Sequence, residues 1–396
     1  MGLGGLGRST EDDRGRPTVS FIDEMLGQGR DWVVGHRERD LPRPKLTPAL
    51  AGKWLVDEWA LQLEVAQSRL RWPAADWRRR LRDELGDGVE MFNERGWVDD
   101  PRSYHEDPPP LENPELKRKS VAGFRFEHLQ VESGYQTHEG EPGGERWAAY
   151  EANRTAHAWI LRHEGVPRPW LICINGYRTG RPLVDLTAFD ARRLHKELGL
   201  NLAFPVQPLH GPRSEGASGD RVLHGGAMNT VHTAAHAIWD IRRLVDWIRT
   251  DQRATGVGAM GISLGGYLTA LLTCFDDDLE CAIAGVPEAD LVRGMRRNVE
   301  PILPPFYEQW GLSWRSLERV NRVVSPLAME PLIDHNRRFI YAGLVDRWVR
   351  PGNVRALWEH WDEPSICWYE GSHLSFPFEP VVRSYVTDAL ESTLLA

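Results

Sequence analysis

Lysine is nearly absent from this chain of 396 residues. Only Lys45, Lys53, Lys117, Lys119 and Lys196 stand among 48 basic residues, and the rest are arginine. Acidic residues number 57, so the formal charge is −9 and the basic footprint that nucleic-acid binding needs is missing. Cysteine is sparse as well. Cys173, Cys274, Cys281 and Cys367 each sit in an apolar segment and none forms a CxxC pair, which points to buried, reduced thiols rather than a redox or zinc motif. The first residues lack the apolar core of a secretory signal, and Leu6 stands where myristoylation needs Ser or Thr. The expected location is therefore cytoplasmic. Residues 256–275 are uncharged and approach membrane-spanning length. The glycines at 261, 265 and 266 instead mark a buried strand, a tight turn and a buried helix. No transmembrane segment, internal repeat or sustained heptad pattern is expected.

The N-terminal part reads as helical. Thr47-Pro48 supplies an N-cap followed by proline at the first helical position. Trp54, Leu55, Trp59, Leu63, Ala66 and Leu70 then recur at helical spacing and form one apolar face. Pro73 stops this helix. Asp76 caps a second one that carries Trp77, Leu81 and Leu85. Residues 99–120, with three consecutive prolines and a Lys-Arg-Lys run, read as a linker. The expectation is a helical extension and linker over 1–120 and a catalytic domain over 121–396. From 121 onward, strands are expected at 124–131, 155–162, 170–174, 202–206, 256–262, 281–285, 338–343 and 365–369. Helices fall between them, notably at 183–198, 228–249, 264–275, 354–361 and 381–395. Such alternation predicts an α/β fold, a mostly parallel sheet with helices on both faces.

The sharpest local signal is Gly261-Ile262-Ser263-Leu264-Gly265-Gly266, between a strand and a helix. A tight turn there exposes Ser263 and sets its oxygen at a helix N-terminus. A serine hydroxyl needs a base, and the base needs an orienting acid. Asp346 follows the strand at 338–343, and His373 follows the strand at 365–369, in the chain order this architecture uses. Asp290 and Asp362 are rival acids. His210 and His224 lie in a loop near the expected site mouth. His232 and His236 are four apart on a helix but lack the glutamate of a zinc-protease motif, so no metal and no cofactor is expected. The N–H of Leu264 and the N–H of Tyr177, in the loop Asn175-Gly176-Tyr177, are the expected oxyanion donors. An insertion at about 291–324 carries Phe306, Tyr307 and Trp310 and reads as a lid. These three and Arg213 are candidate substrate contacts.

Elbow, Ser-Asp-His order and glycine loop together resemble the α/β-hydrolase superfamily across residues 121–396. Asn175-Gly176-Tyr177 is similar to the His-Gly-Tyr loop of the acetylxylan and cephalosporin acetyl esterases, and the layout is similar to the dienelactone-hydrolase-like branch. Asn175 departs from that pattern by replacing the histidine. The resemblance implies an α/β-hydrolase fold with a helical N-terminal extension and a helical lid. It also implies a serine hydrolase with Ser263 as nucleophile, Asp346 as acid and His373 as base. The expected reaction is hydrolysis of a small-molecule or lipid-like carboxylic ester through an acyl-enzyme. A peptidase or acyltransferase would use the same triad, and a binding module on a hydrolase scaffold is the alternative from another class. The Trp-rich N-terminal helices offer a surface either for a second copy of the chain or for covering the site mouth.

Overall fold

The structure, a computed structural model, describes residues 41–70, 75–299 and 313–396. A compact unit runs from Pro44 to Ala396. Its centre is one sheet built, among the described residues, from nine strands. They are β1 (Glu115–Val121), β2 (Phe124–Glu132), β3 (Thr155–Leu161), β4 (Trp170–Ile174), β5 (Asn201–Val206), β6 (Val257–Ile262), β7 (Cys281–Gly285), β8 (Arg338–Gly343) and β9 (Ser365–Tyr369). The spatial order is β1-β2-β3-β5-β4-β6-β7-β8-β9. The pairs β1/β2, β2/β3 and β3/β5 are antiparallel, and from β5 to β9 every pair is parallel.

The parallel strands are buried on both faces, as their near-continuous apolar sequences require. In β4, Trp170, Ile172 and Ile174 enter one core while Leu171 and Cys173 enter the other. The first core is closed by α4 (Asn229–Thr250), α5 (Leu264–Leu272) and α8 (Pro351–His360), which contribute Ile238, Ile241, Leu268 and Leu357. The second is closed by α3 (Pro182–Ala188) and α9 (Pro380–Glu391), through Leu186, Val382, Val386 and Leu390. Helices on both faces are the layering expected from the strand-helix alternation. All four cysteines are buried and free.

Two further helices, α1 (Pro48–Leu70) and α2 (Ala75–Glu94), belong to the same compact unit. Thr47 caps α1 as its sequence predicts, with the Leu50 N–H donating to its Oγ1 at 3.1 Å. In α2, Leu85 and Phe92 join the first core. The insertion after β7 includes α6 (Leu291–Val299) and α7 (Trp314–Asn321).

Two sequence expectations need correction. The segment 115–121 is a strand, not linker: β1 pairs along its whole length with β2 through a turn at Ala122 (φ 46°) and Gly123 (φ 85°). Positive φ at both central residues is the geometry of a two-residue hairpin. The charged run belongs to a solvent-facing edge strand, where lysine and arginine discourage pairing with other chains. The second correction concerns α1. Its Leu55, Trp59 and Leu63 are exposed, whereas Asp57 and Glu58 are buried. Leu50 and Leu61 of the helix are buried as well, but its buried acids meet polar partners, as described below.

Candidate active site

The loops that follow parallel strands β4, β6, β7, β8 and β9 gather at one end of the sheet, the usual location of ligand sites in open α/β sheets. At its middle, β6 ends at Ile262 and α5 begins at Leu264, leaving Ser263 alone in the turn with φ 59° and ψ −117°. A non-glycine residue held there stores about 1–3 kcal/mol of backbone strain. The glycines explain how the chain tolerates the turn. A Cβ on Gly261 would overlap the Gly265 carbonyl, and one on Gly265 would overlap the Ile174 carbonyl. The Ser263 N–H donates to Gly285 O at 2.8 Å, which ties the turn to β7.

Asp346 and His373 are brought together from the loops after β8 and β9. Asp346 Oδ2 lies 2.7 Å from His373 Nδ1. Its Oδ1 accepts the N–H groups of Trp348 at 2.9 Å and Val349 at 2.7 Å. A carboxylate held this way keeps the proton on Nδ1 and leaves Nε2 as the basic nitrogen. Burial alone would lower the His373 pKa, but Asp346, and more weakly Asp57, outweigh it and raise the imidazole above its ordinary 6.5. Burial pushes the Asp346 carboxyl up, opposed by His373 and by the Val349 N–H. The Trp348 ring stacks on the imidazole with centroids 6.1 Å apart. No hydrogen bond joins Ser263 to His373 among the described residues; such contacts commonly tighten only once substrate is bound.

The loop after β4 packs directly on the elbow. A Cβ on Gly176 would lie 3.2 Å from Ile262 O and 3.5 Å from Ser263 Cβ, so the Asn175-Gly176-Tyr177 turn lies against Ser263. The loop is braced by Thr179 Oγ1 donating to Gly176 O at 2.5 Å and by Gln207 Nε2 donating to Asn175 O. Asp185 accepts from Gly180 N–H at 3.0 Å and from Trp159 Nε1 at 2.9 Å, while burial lifts its pKa to about 6.

Several sequence candidates lie elsewhere. Arg213, expected as a substrate contact, is fully buried, its guanidinium donating to Asp240, Val206 O and Asn153 O. Asp290 caps α6, accepting from the Arg293 N–H at 2.9 Å. His210 is buried against Tyr177. Phe306, Tyr307 and Trp310 lie outside the described residues. His232 and His236 are buried in α4, and no group of three or more potential metal ligands occurs among the described residues.

A second Ser-His-Asp grouping exists by letters, with Ser133 Oγ 2.6 Å from His236 Nε2 and donating to Asp240 Oδ1 at 2.6 Å. Its chemistry is different. Burial and Arg213, which donates to the same Nε2 at 3.0 Å, hold the His236 pKa far below its ordinary value. A nitrogen already accepting from a guanidinium does not serve as a base, and Ser133 is buried without an elbow. Nearby, the loop that joins β2 to β3 lines a cavity of about 1010 Å³, with Tyr135, Trp147, Tyr150, Arg146 and Glu141 of that loop and His236 of α4 among its walls. Because β2 runs antiparallel to β3 and β3 antiparallel to β5, this loop lies at the same end of the sheet as the elbow. Tyr177, like the cavity-lining Tyr135 and Tyr150, packs on the small cluster of Trp147, Leu209 and Val222.

Sequence reasoning missed two acids here, one buried and one half-buried. Asp57 of α1 accepts the backbone N–H groups of His373 at 2.6 Å, Leu374 at 3.0 Å and Arg347 at 3.3 Å. Glu288, in the loop after β7, accepts from Asn353 Nδ2. Burial first, and then Asp290, raise its pKa to about 8. Its place just after a strand at the catalytic end was the available signal; Asp57 gave none.

The uncharacterized protein MT2702 of Mycobacterium tuberculosis (strain CDC 1551 / Oshkosh) is 38% identical over 379 residues, covering 94% of this chain and 90% of that one. The chain belongs to that family. The uncharacterized protein Rv2627c of strain ATCC 25618 / H37Rv is similar to the same extent. Residues 234–359, which hold the elbow and Asp346, match the prolyl oligopeptidase family. Among solved structures, an acetyl xylan esterase of a Thermoanaerobacterium species matches 76% of this chain and 94% of its own, with 15% identity and a TM-score of 0.50. A Paenibacillus acetyl xylan esterase matches 81% and 95%, with 13% identity and a TM-score of 0.50. Both share the α/β-hydrolase fold, which is the fold of this chain. The described residues contain no helix long and apolar enough to cross a membrane.

Proposed function

We propose that this protein is a serine-dependent carboxylic-ester hydrolase acting through an acyl-enzyme. The observation that carries the reading is the Asp346–His373 pair, at 2.7 Å, at the same sheet end as a strained Ser263 elbow. In this reading His373 Nε2 takes the Ser263 proton as Oγ attacks the carbonyl carbon. The Leu264 and Tyr177 N–H groups hold the oxyanion. The leaving alcohol departs with the proton from His373, and His373 then draws a proton from water as that water attacks the acyl-enzyme. The catalytic domain, expected over 121–396, is read as reaching back to β1 at Glu115, which belongs to its sheet, with a lid insertion at about 291–324 and the extension before it.

The cavity lined by the β2–β3 loop, at the same end of the sheet as the elbow, supports a short acyl group on a polar alcohol, because carboxylates and guanidinia line it together with aromatic rings. A nitrophenyl ester series from acetate to palmitate tests both points. Wild type is expected to cleave the acetate best and Ser263→Ala to lose nearly all turnover with the fold intact. Near-wild-type activity in Ser263→Ala would end the reading, and a palmitate optimum would end the short-acyl part of it. The prolyl oligopeptidase match at 234–359 favours a second reading, in which the same triad cleaves a peptide or acyl-peptide bond. Turnover of aminoacyl nitroanilides but not esters would establish it instead.

A further inference from the structure

The N-terminal helix α1 crosses the end of the sheet where the candidate triad lies. Several of its contacts there are polar and are spread over three turns. Lys53 Nζ donates to Glu370 O at 3.1 Å and pairs with Glu379 at 2.5 Å. Asp57 meets the loops that carry His373 and Asp346, as described. Glu58 pairs with Arg347 Nε at 2.6 Å. Glu64 pairs with Arg178 at 2.6 Å, next to Tyr177 in the loop after β4. Seven residues of helix separate Asp57 from Glu64, a rise of about 10 Å, so one rigid rod touches the histidine, acid and oxyanion loops together.

We propose that Asp57 is a positioning residue of the catalytic site, its carboxylate fastening the backbone that carries His373 to the backbone that follows Asp346. The inference rests on the triad reading given above. Asp57 is fully buried, and its two oxygens receive three backbone N–H groups. Oδ2 takes those of His373 and Arg347 and Oδ1 that of Leu374, so a single group sets the spacing of the two loops. The contact at His373 N, 2.6 Å, is the shortest of the three. The charged groups around the imidazole are few. Asp346 faces it from the loop after β8 and Asp57 from α1. Arg347 and Glu58 pair with each other beside them, Lys53 pairs with Glu379 one turn away, and Glu288 interacts electrostatically with Asp346. Asp57 therefore acts in two ways: it holds geometry, and its charge favours the protonated imidazole that forms as Ser263 attacks.

An asparagine at this position cannot reproduce the arrangement. Its amide presents one acceptor oxygen and one NH2 donor, so in either orientation a backbone N–H faces another N–H. The test measures nitrophenyl acetate hydrolysis and fluorophosphonate labelling against pH for wild type, Asp57→Asn, Asp57→Glu and Ser263→Ala. Asp57→Asn is expected to lose about 10- to 100-fold in kcat with KM within about threefold. The midpoint of its acid limb is expected to fall by about half a pH unit to one unit. Asp57→Glu keeps the charge but moves the oxygens out of register, so it should lose rate while keeping the midpoint. This arm decides the matter should Asp57→Asn not fold. Wild-type rate in either variant, or a rate loss in Asp57→Asn with an unmoved midpoint, overturns the proposal. Absence of both turnover and labelling in wild type, or their persistence in Ser263→Ala, overturns the triad reading and this one with it.

Discussion

Replacing Glu288 by glutamine should change how stability depends on pH in a way that the structure fixes in sign and approximate size. The Glu288 carboxyl is pushed from its ordinary 4.5 to about 8, by burial first and by Asp290 and Asp346 beside it, against the hydrogen bond from Asn353. A carboxyl raised by folding binds its proton more tightly in the folded chain. Its contribution to stability is therefore complete below 4.5 and is lost as pH climbs to 8. The full gap corresponds to about 4–5 kcal/mol. Between pH 5 and pH 8, allowing for relaxation of the site, about 2–4 kcal/mol should disappear. Glutamine has nearly the same shape, keeps an oxygen for Asn353 and never ionises. Urea unfolding of wild type and Glu288→Gln at pH 5, 6.5 and 8 should give similar stability at pH 5. The variant should be ahead by about 2–4 kcal/mol at pH 8. Curves that stay parallel from pH 5 to 8 would refute the reasoning, since they would mean that Glu288 ionises in the folded chain as readily as in the unfolded one.

Other outcomes follow from the same structure. Asp346→Asn removes the acceptor that keeps the proton on His373 Nδ1 and should cut kcat/KM by about 10⁴, a loss below tenfold counting against the pair. The acid limb of the wild-type pH-rate profile should have its midpoint above 6.5, because the raised imidazole must be neutral to act as base; a midpoint below 6 would contradict this. Arg213→Met leaves the Asp240 carboxylate buried without its cation and should cost about 3–5 kcal/mol in chemical unfolding, whereas a substrate contact at that position would raise KM with little change in stability.

The parts of this protein legible in its sequence are those whose cause is local. The elbow at Ser263 needs glycine where a Cβ would strike the neighbouring carbonyls, and the strands β4 to β7 need apolar residues on both faces, so each leaves its own mark. Asp346 and His373 were legible because each directly follows an apolar strand. The edge strand β1 was not, since its side chains face water and its only signature is the turn at Ala122-Gly123. Asp57 was invisible for a different reason. Its partners are 290 to 317 residues away, and the apolar face that α1 displays in sequence lies outward at Leu55, Trp59 and Leu63. Arg213 looked like a site cation because a buried arginine and an exposed one have the same letter; only Asp240, one helix away in space, tells them apart.

The reach of Asp57 across the chain also bears on how the protein is made. A ribosome adding about 5–20 residues per second completes α1 roughly 15–60 seconds before it reaches His373. Until then the Asp57 carboxylate and Glu58 lack the partners they meet in the folded chain. The catalytic loops, in turn, close around the Asp57 carboxylate only when the last strand and helix have emerged. Nascent chains are therefore without this fastening until residues 373 and 374 have been made, and a chain released short of residue 373 would hold Ser263 and Asp57 but not the backbone that Asp57 binds.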